Sequence, residues 1–360
     1  MKILIINPFG IGDVLFSTPV IAALRKKFPD SFIAYVCNGS TAPILENNPD
    51  IDQLLFYSRG DFKKIRRESL GRYLNAFIQA VLNLRKIKFD LAIDLSMVMQ
   101  YSLVLWLVGV PKRFGFDYKN RGRFLTDKIS VQAFSDKHVV DYYADLLKKI
   151  GINEFNRNLK FYLSSDDDKW AGKYLKEHMI NSADLVVGLA PFGGLSWGAD
   201  AENKQWPIDS YYFIAKHIIE KHKAKVILFG TKKDLPKTGL FNQLSKNNAL
   251  INAVGQTSLG QLAALLSKCK LFICNDSGPL HIACALDIKT VSVYGPVDEN
   301  VYGPVGQGQS HDIVCADIAC RPCYQNFKKP VCQTMNCLQM LAKEKVLAVV
   351  EKAIEQGRAK

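Results

Sequence analysis

The stretch "KILIINPFGIGDVLFSTPVIAALRKKF" (residues 2–28) joins three signals in the order that a doubly wound fold requires. Residues 2–7 form a short, nearly continuous apolar run rich in branched side chains, the pattern of a strand buried on both faces of a parallel sheet. A turn containing Gly10 and Gly12 follows. From Asp13 onward apolar residues recur at spacings of three and four, the period of a helix with one buried face. Strand, glycine turn and helix in succession usually cradle phosphate, because free backbone N–H groups and the helix dipole attract anions. Here the first helical position is itself a carboxylate, Asp13. A second negative charge would be repelled, so this turn is expected to serve another purpose.

The same alternation continues along the chain. "SFIAYVC" (31–37), "QLLFY" (53–57) and "DLAIDL" (90–95) read as strands, and "SDKHVVDYYADLLKKIG" (135–151) as a helix ending at Gly151. After the polar "SSDDDK" (164–169), whose acidic residues suit a helix start, the pattern begins again. Strands are expected at "DLVVGLA" (184–190), "KVILFG" (225–230), "LFICN" (271–275) and "KTVSVYG" (289–295), with helices at "DSYYFIAKHIIEKH" (209–222) and "SLGQLAALLSK" (258–268). The fold class is therefore α/β, with two doubly wound, Rossmann-like domains facing a cleft. Residues 1–162 are expected to form the first domain and 163–340 the second, while a final helix over 341–360 packs back across both.

Bulk properties agree. At 360 residues the chain suits two cores of roughly 150 to 200 residues each. Its 48% hydrophobic and 22% charged residues are ordinary globular composition. The net charge of +13 is uneven: residues 1–160 hold 24 Lys and Arg against 15 Asp and Glu, the surplus lying in "KKIRR" (63–67), "RKIK" (85–88) and "PKRFGFDYKNRGR" (111–123). Such an excess favours an anionic partner. The short apolar start runs straight into Asn7-Pro8, unlike a signal peptide. Residues 91–110 carry Asp94 and Gln100 and read as a buried strand followed by a helix, not as a membrane span. A cytoplasmic protein, at most peripheral to a membrane, is expected. Cys37, Cys269, Cys274 and Cys284 lie in apolar runs and should be small buried hydrophobes.

The second half holds the better anion site. "CNDSGPLHIACAL" (274–286) places Asp276 and Ser277 at a helix start directly after a strand, with Gly278 allowing close backbone approach. Ser277 and His281 can add side-chain hydrogen bonds, and Asp276 can accept from sugar hydroxyls. The long loop "FGGLSWGADAENKQWP" (192–207) brings Lys204, a cation able to neutralise phosphate, and "FGTKKD" (229–234) offers Thr231 and Lys232.

Together "NPFGIGDVLFSTPVIAALRKKFP", "NKQWP", "NDSGPLHIACAL" and "VYGPVDENVYGP" resemble glycosyltransferase family 9, the ADP-heptose–lipopolysaccharide heptosyltransferases, in the same order through nearly the whole chain. The resemblance implies the GT-B architecture, with acceptor bound by the first domain and nucleotide sugar by the second, and inverting transfer without a metal cofactor. It implies that Asp13 is the general base, with Gly10 and Gly12 in the acceptor-side loop. It implies that Lys204 contacts the donor's phosphates, and that Asp276, Ser277, Gly278 and His281 form the donor-binding segment; the family more often has Thr at the position of Ser277, which keeps the hydroxyl. The implied partners are ADP-heptose and an anionic glycolipid acceptor at the inner face of the inner membrane. A transferase of this fold using another nucleotide sugar is one alternative. A dinucleotide-dependent oxidoreductase is the alternative of another class, although "GIGDVL" lacks the third fingerprint glycine and no acidic residue ends "SFIAYVC". No nucleic-acid-reading motif is present, so a nucleic acid is not an expected partner.

Inversion makes Asp13 intelligible. One base and one stabilised leaving group must act on opposite faces of the sugar. If the diphosphate belongs to the second domain, the first-domain turn is free to carry a carboxylate. Finally, "CADIACRPCYQNFKKPVCQTMNCL" (315–338), within the Cys-rich segment 315–337, has ligand spacing for a structural zinc held by Cys320, Cys323, Cys332 and Cys337, with free thiols or a disulfide as the other readings.

Overall fold

The opening run forms strand β1 (Lys2–Ile6) in the computed structural model, which describes residues 1–360 apart from 58, 59, 61–64, 66, 246, 247, 307, 309, 330, 359 and 360. Of the basic run at 63–67, residues 63, 64 and 66 thus lie outside the described residues. Close contacts divide the chain into two units, Met1–Arg157 and Asn158–Lys360. The division falls a few residues before the expected boundary after 162.

In the first unit β1 is followed by β2 (Phe32–Cys37), β3 (Gln53–Phe56), β4 (Leu91–Asp94), β5 (Lys112–Tyr118) and β6 (Asp127–Val131). The sheet order is β3-β2-β1-β4-β5-β6, and every pairing is parallel. Ile3, Leu4 and Ile5 are wholly buried, which is why β1 reads as unbroken apolar sequence: helices cover both of its faces. The expected single helix after β1 is two. Helix α1 (Ile11–Phe16) stops at Ser17, and α2 (Thr18–Lys27) starts with Pro19 in its first turn. Proline lacks the N–H that would continue the ladder and its ring crowds the preceding turn, so the chain restarts. Helix α3 (Leu70–Ile87) packs beside α4 (Met99–Val108) over the sheet, and α5 (Val139–Lys148) follows.

The second unit repeats the plan. After α6 (Ser165–Glu177), capped by Ser164 with Asp166, Asp167 and Asp168 in its first turn, come β7 (Val186–Ala190), α7 (Ile208–His222), β8 (Lys225–Leu228) and β9 (Leu250–Asn252). Then α8 (Leu259–Leu266), β10 (Leu271–Asn275), α9 (Gly278–Ala285), β11 (Thr290–Tyr294) and β12 (His311–Cys315) complete an all-parallel sheet of order β12-β11-β10-β7-β8-β9. The last long helix, α10 (Lys343–Arg358), was expected to cross both domains. Its Val346, Val350, Ala353 and Ile354 join the core of the second unit with β10, β11 and α7.

In each sheet the strand order reverses once, between β1 and β4 in the first and between β7 and β10 in the second. Ligands of open parallel sheets bind outside the carboxyl ends of the strands at this reversal. Asn7 to Asp13 follow β1, and the loops 191–206 and 276–278 follow β7 and β10.

Helix α10 is pinned by one carboxylate. Glu351 accepts from Lys221 (2.6 Å) and meets His217 and His222 (2.9 Å each) on α7. Burial pushes this carboxyl up, but the hydrogen bonds of Lys221 and His222 outweigh it and hold Glu351 at about 2. A carboxyl with a depressed folded pKa stabilises above its unfolded pKa and loses that contribution as pH falls toward the folded one. The stabilisation should therefore be complete above about pH 4.5 and fade toward pH 2. Urea melts of Glu351→Gln against the parent should show a difference at pH 6 that shrinks steadily below pH 4.5.

Candidate active site

At the reversal of the first sheet, Gly10 is the N-cap of α1 with φ −73°, so the turn needs no left-handed glycine there. Asp13 occupies the third helical position, is exposed, and accepts the Gly10 N–H at 3.2 Å through Oδ2. Asp13 thus helps to cap α1, with its side chain on the exposed surface. Gly12 lies between them in the first turn. Asn7, fully buried at the end of β1, donates from Nδ2 to the Asp13 backbone carbonyl at 2.9 Å and so fixes where α1 begins. Behind it Ser17 Oγ and the buried Tyr35 hydroxyl share a 2.6 Å hydrogen bond. On the neighbouring β4, Asp94 is interior; burial pushes its carboxyl up to about 6, although Ser96 donates to it from both N–H and hydroxyl.

At the second reversal, Lys204 and Asp276 form an ion pair of 2.5 Å, both buried, with the Lys204 ammonium 5.3 Å from the centre of the Trp197 ring. The pair joins the end of the 195–204 loop to the start of α9. Left-handed backbone at Gly194 (φ 74°) and a close approach at Gly193, where a Cβ would stand 2.9 Å from Ser277 Cβ, bring that loop against the helix start. Ser277 caps α9 by backbone conformation alone; its hydroxyl donates to the Asn275 carbonyl at 3.2 Å instead of accepting from the first turn. Gly278 and Pro279 open the helix, and His281 is buried in it. A buried cation beside a helix N-terminus whose donors are not taken by the cap is suited to an anionic ligand.

Asn275 passed unremarked in the sequence. It is fully buried, and its amide satisfies three groups: Oδ1 accepts from Trp206 N–H (2.9 Å) and Tyr211 hydroxyl (2.8 Å), and Nδ2 donates to the Pro191 carbonyl (2.7 Å). One side chain thus ties β10 to both ends of the loop carrying Lys204. Asn275→Ala would strand those three buried partners, each worth roughly 1–3 kcal/mol when left unpaired. A stability loss of about 3 kcal/mol or more is expected in denaturant melts, with weaker nucleotide binding in calorimetry.

Thr231 is placed differently from the rest. It caps the 3₁₀ segment Lys232–Leu244, with its N–H (2.8 Å) and hydroxyl (2.7 Å) both donated to Asp234. The hydroxyl proton is engaged by Asp234, which leaves the hydroxyl oxygen as the acceptor that Thr231 could offer a ligand. Part of the basic excess is structural too: Arg113 donates to the Phe124 and Val110 carbonyls, and Lys128 pairs with Asp117 at 2.6 Å. The four buried cysteines are as expected, with burial pushing the Cys37 thiol up to about 11 and that of Cys269 to about 12.

The structural zinc is not supported. Among the described residues no group of three or more His, Cys, Asp or Glu is arranged to hold a metal ion. Cys320 and Cys332 are exposed, Cys332 Sγ accepting from Met335 N–H, whereas Cys337 is buried in the core of the second unit. The segment packs instead against the Lys204 loop, through the Trp197–Tyr324 ring contact and Lys329, which binds the Trp197 carbonyl and Asp200.

Comparison with known proteins bears on this geometry. The family model described as "Glycosyltransferase family 9 (heptosyltransferase)" matches residues 78–331. A lipooligosaccharide heptosyltransferase 2 of Campylobacter jejuni is 26% identical over 358 residues, covering 98% of this chain and 99% of that protein. Among solved structures, a glycosyl transferase family 9 protein of Veillonella parvula superposes with a TM-score of 0.82 at 22% identity, covering 99% of this chain and 97% of that one. The Escherichia coli ADP-heptose LPS heptosyltransferase II does so with 0.75 at 21% identity, covering 99% and 100%. At these identities the structural likeness establishes the fold, GT-B.

Proposed function

The chain belongs to glycosyltransferase family 9, the heptosyltransferases, and on that premise we propose that it moves a heptose from ADP-heptose to the inner core of lipopolysaccharide, with inversion and without a catalytic metal. Membership displaces the oxidoreductase alternative. The observation that carries the reading is the buried Lys204–Asp276 pair at the reversal of the second sheet, set against the opening of α9. In the reaction Lys204 and the first-turn N–H groups of α9 balance the charge that grows on the departing diphosphate. Asp276 accepts from donor hydroxyls, with Ser277, Gly278 and His281 lining the same helix start. In the first unit Asp13 takes the proton from an acceptor hydroxyl as that oxygen bonds to the anomeric carbon and the C1–O bond to phosphate breaks. Gly10 and Gly12 shape the loop that receives the acceptor.

The positive first unit suits a phosphorylated glycolipid acceptor. No helix among the described residues is long and apolar enough to cross a membrane, and peripheral contact with the cytoplasmic face of the inner membrane is part of the proposal. Calorimetry with ADP, UDP and NAD tests the donor: ADP should bind and NAD should not. Mass spectrometry of heptose-deficient lipopolysaccharide incubated with enzyme and ADP-heptose should then show addition of one heptose. Preference for UDP, or no mass gain, would overturn the reading.

A further inference from the structure

Helix α3 is apolar around more of its circumference than it buries. Val81, Leu84 and Ile87 are half-buried against the core shared with Val104, Leu105 and Val108 of α4. On the adjoining face Leu70, Leu74, Ile78 and Leu82, each four residues after the last, stand 61%, 49%, 52% and 44% exposed. That spacing lines them up as one stripe along the helix. The stripe runs into Arg85 and Lys86, three and four residues beyond Leu82, and Arg72 and Lys88 are exposed as well. Residues 70–88 contain these four basic side chains and no acidic one.

A contiguous apolar stripe left open to water marks an interaction surface. Arg72 pairs with Glu68 at 3.6 Å, so a second copy would set the Arg85, Lys86 and Lys88 cluster against another like it, with no acidic residue between 70 and 88 to offset the charge. An anionic bilayer offers the complementary charge to the arginines and lysines and an acyl boundary to the leucines and isoleucine. At 18 residues α3 is about 27 Å long, yet no described helix meets the apolar requirement for a span; such a helix lies in the surface.

We propose that the Leu70–Leu74–Ile78–Leu82 face of α3, with Arg72, Arg85, Lys86 and Lys88, is a docking surface that lays the first unit on an anionic phospholipid membrane. The inference rests on the proposed lipid-anchored acceptor only for its choice of occupant. Vesicle binding is read without donor or acceptor, so a negative result leaves the transferase reading standing.

The test is co-sedimentation of the full chain with vesicles of phosphatidylethanolamine and phosphatidylglycerol, against vesicles of phosphatidylcholine alone. The parent should bind the anionic vesicles and release as salt rises. The double variant Leu74→Glu/Ile78→Glu should lower binding at least about tenfold. Arg85→Gln/Lys86→Gln should lower it roughly fivefold per charge removed, and this pair decides the matter should the first variant fail to fold. Transfer to a short, detergent-free oligosaccharide acceptor should be unchanged in both. No binding of the parent to anionic vesicles, or binding that neither variant reduces, would overturn the proposal. So would a parent dimer that Leu74→Glu/Ile78→Glu dissociates while lipid binding persists, a result that gives the face to a second copy.

Discussion

Asp13→Asn should lower turnover by on the order of 10²–10⁴-fold while leaving ADP affinity and thermal stability close to those of the parent. The substitution separates the observed capping contact of this side chain from its proposed role as base. As a helix cap, Asp13 only has to accept the Gly10 N–H at 3.2 Å, and an asparagine oxygen can do that. The loss of the favourable charge at the helix start costs a few tenths of a kcal/mol at an exposed position. As a base, by contrast, an amide cannot take a proton at all. Initial rates with saturating ADP-heptose, alongside calorimetry with ADP, distinguish the outcomes. Near-parental turnover would reduce Asp13 to a cap and remove the base from the proposed mechanism.

The second large effect is expected at Lys204. Lys204→Met keeps an unbranched chain against the Trp197 ring but removes the ammonium from its 2.5 Å contact with Asp276. Two consequences follow from separate physics. The departing diphosphate loses its buried counter-charge, a deficit expected to lower turnover by about 10²–10³-fold. The fold loses the partner of a buried carboxylate, for which removal of one member costs about 3–5 kcal/mol. Adding Asp276→Asn should recover most of the stability, because no uncompensated charge then remains inside, and none of the turnover. Chemical melts and kcat on the two variants read the two effects independently. If the double variant regains turnover, Lys204 acts through folding alone.

Much of this arrangement was legible in the sequence because the central strands are buried on both faces. β1, β7 and β10 announce themselves as unbroken branched apolar runs. Towards the edges the signal weakens, although "QLLFY" still marked the edge strand β3. β5, "KRFGFDY", carries Lys112, Arg113 and Asp117 and reads as part of a basic segment, while β6 leaves Asp127 and Lys128 in solvent. Helix α3 escaped notice since its apolar residues cover two faces and blur the expected period. At the sites, Asp13, Lys204, Asp276 and Ser277 stood out because charged or hydroxyl residues at a helix start or loop end have a local logic. Asn7 and Asn275 have none. An asparagine after a strand looks like an ordinary turn residue, and the hydrogen bonds of Asn275 reach 69 and 84 positions along the chain. The division of "DVLFSTPVIAALRKKF" into two helices was readable in principle from Pro19, whose ring forbids the continuous turn.

The repeated strand order has an evolutionary consequence. Each half holds a sheet with its own interior, and the groups to which the proposed reaction assigns acceptor and donor lie on different halves. On that proposed division, change in what receives the sugar and change in what delivers it can accumulate on different stretches of gene, neither one disturbing the other's scaffold. A lineage could meet a new surface glycan by altering residues before 157 and inherit its nucleotide chemistry intact.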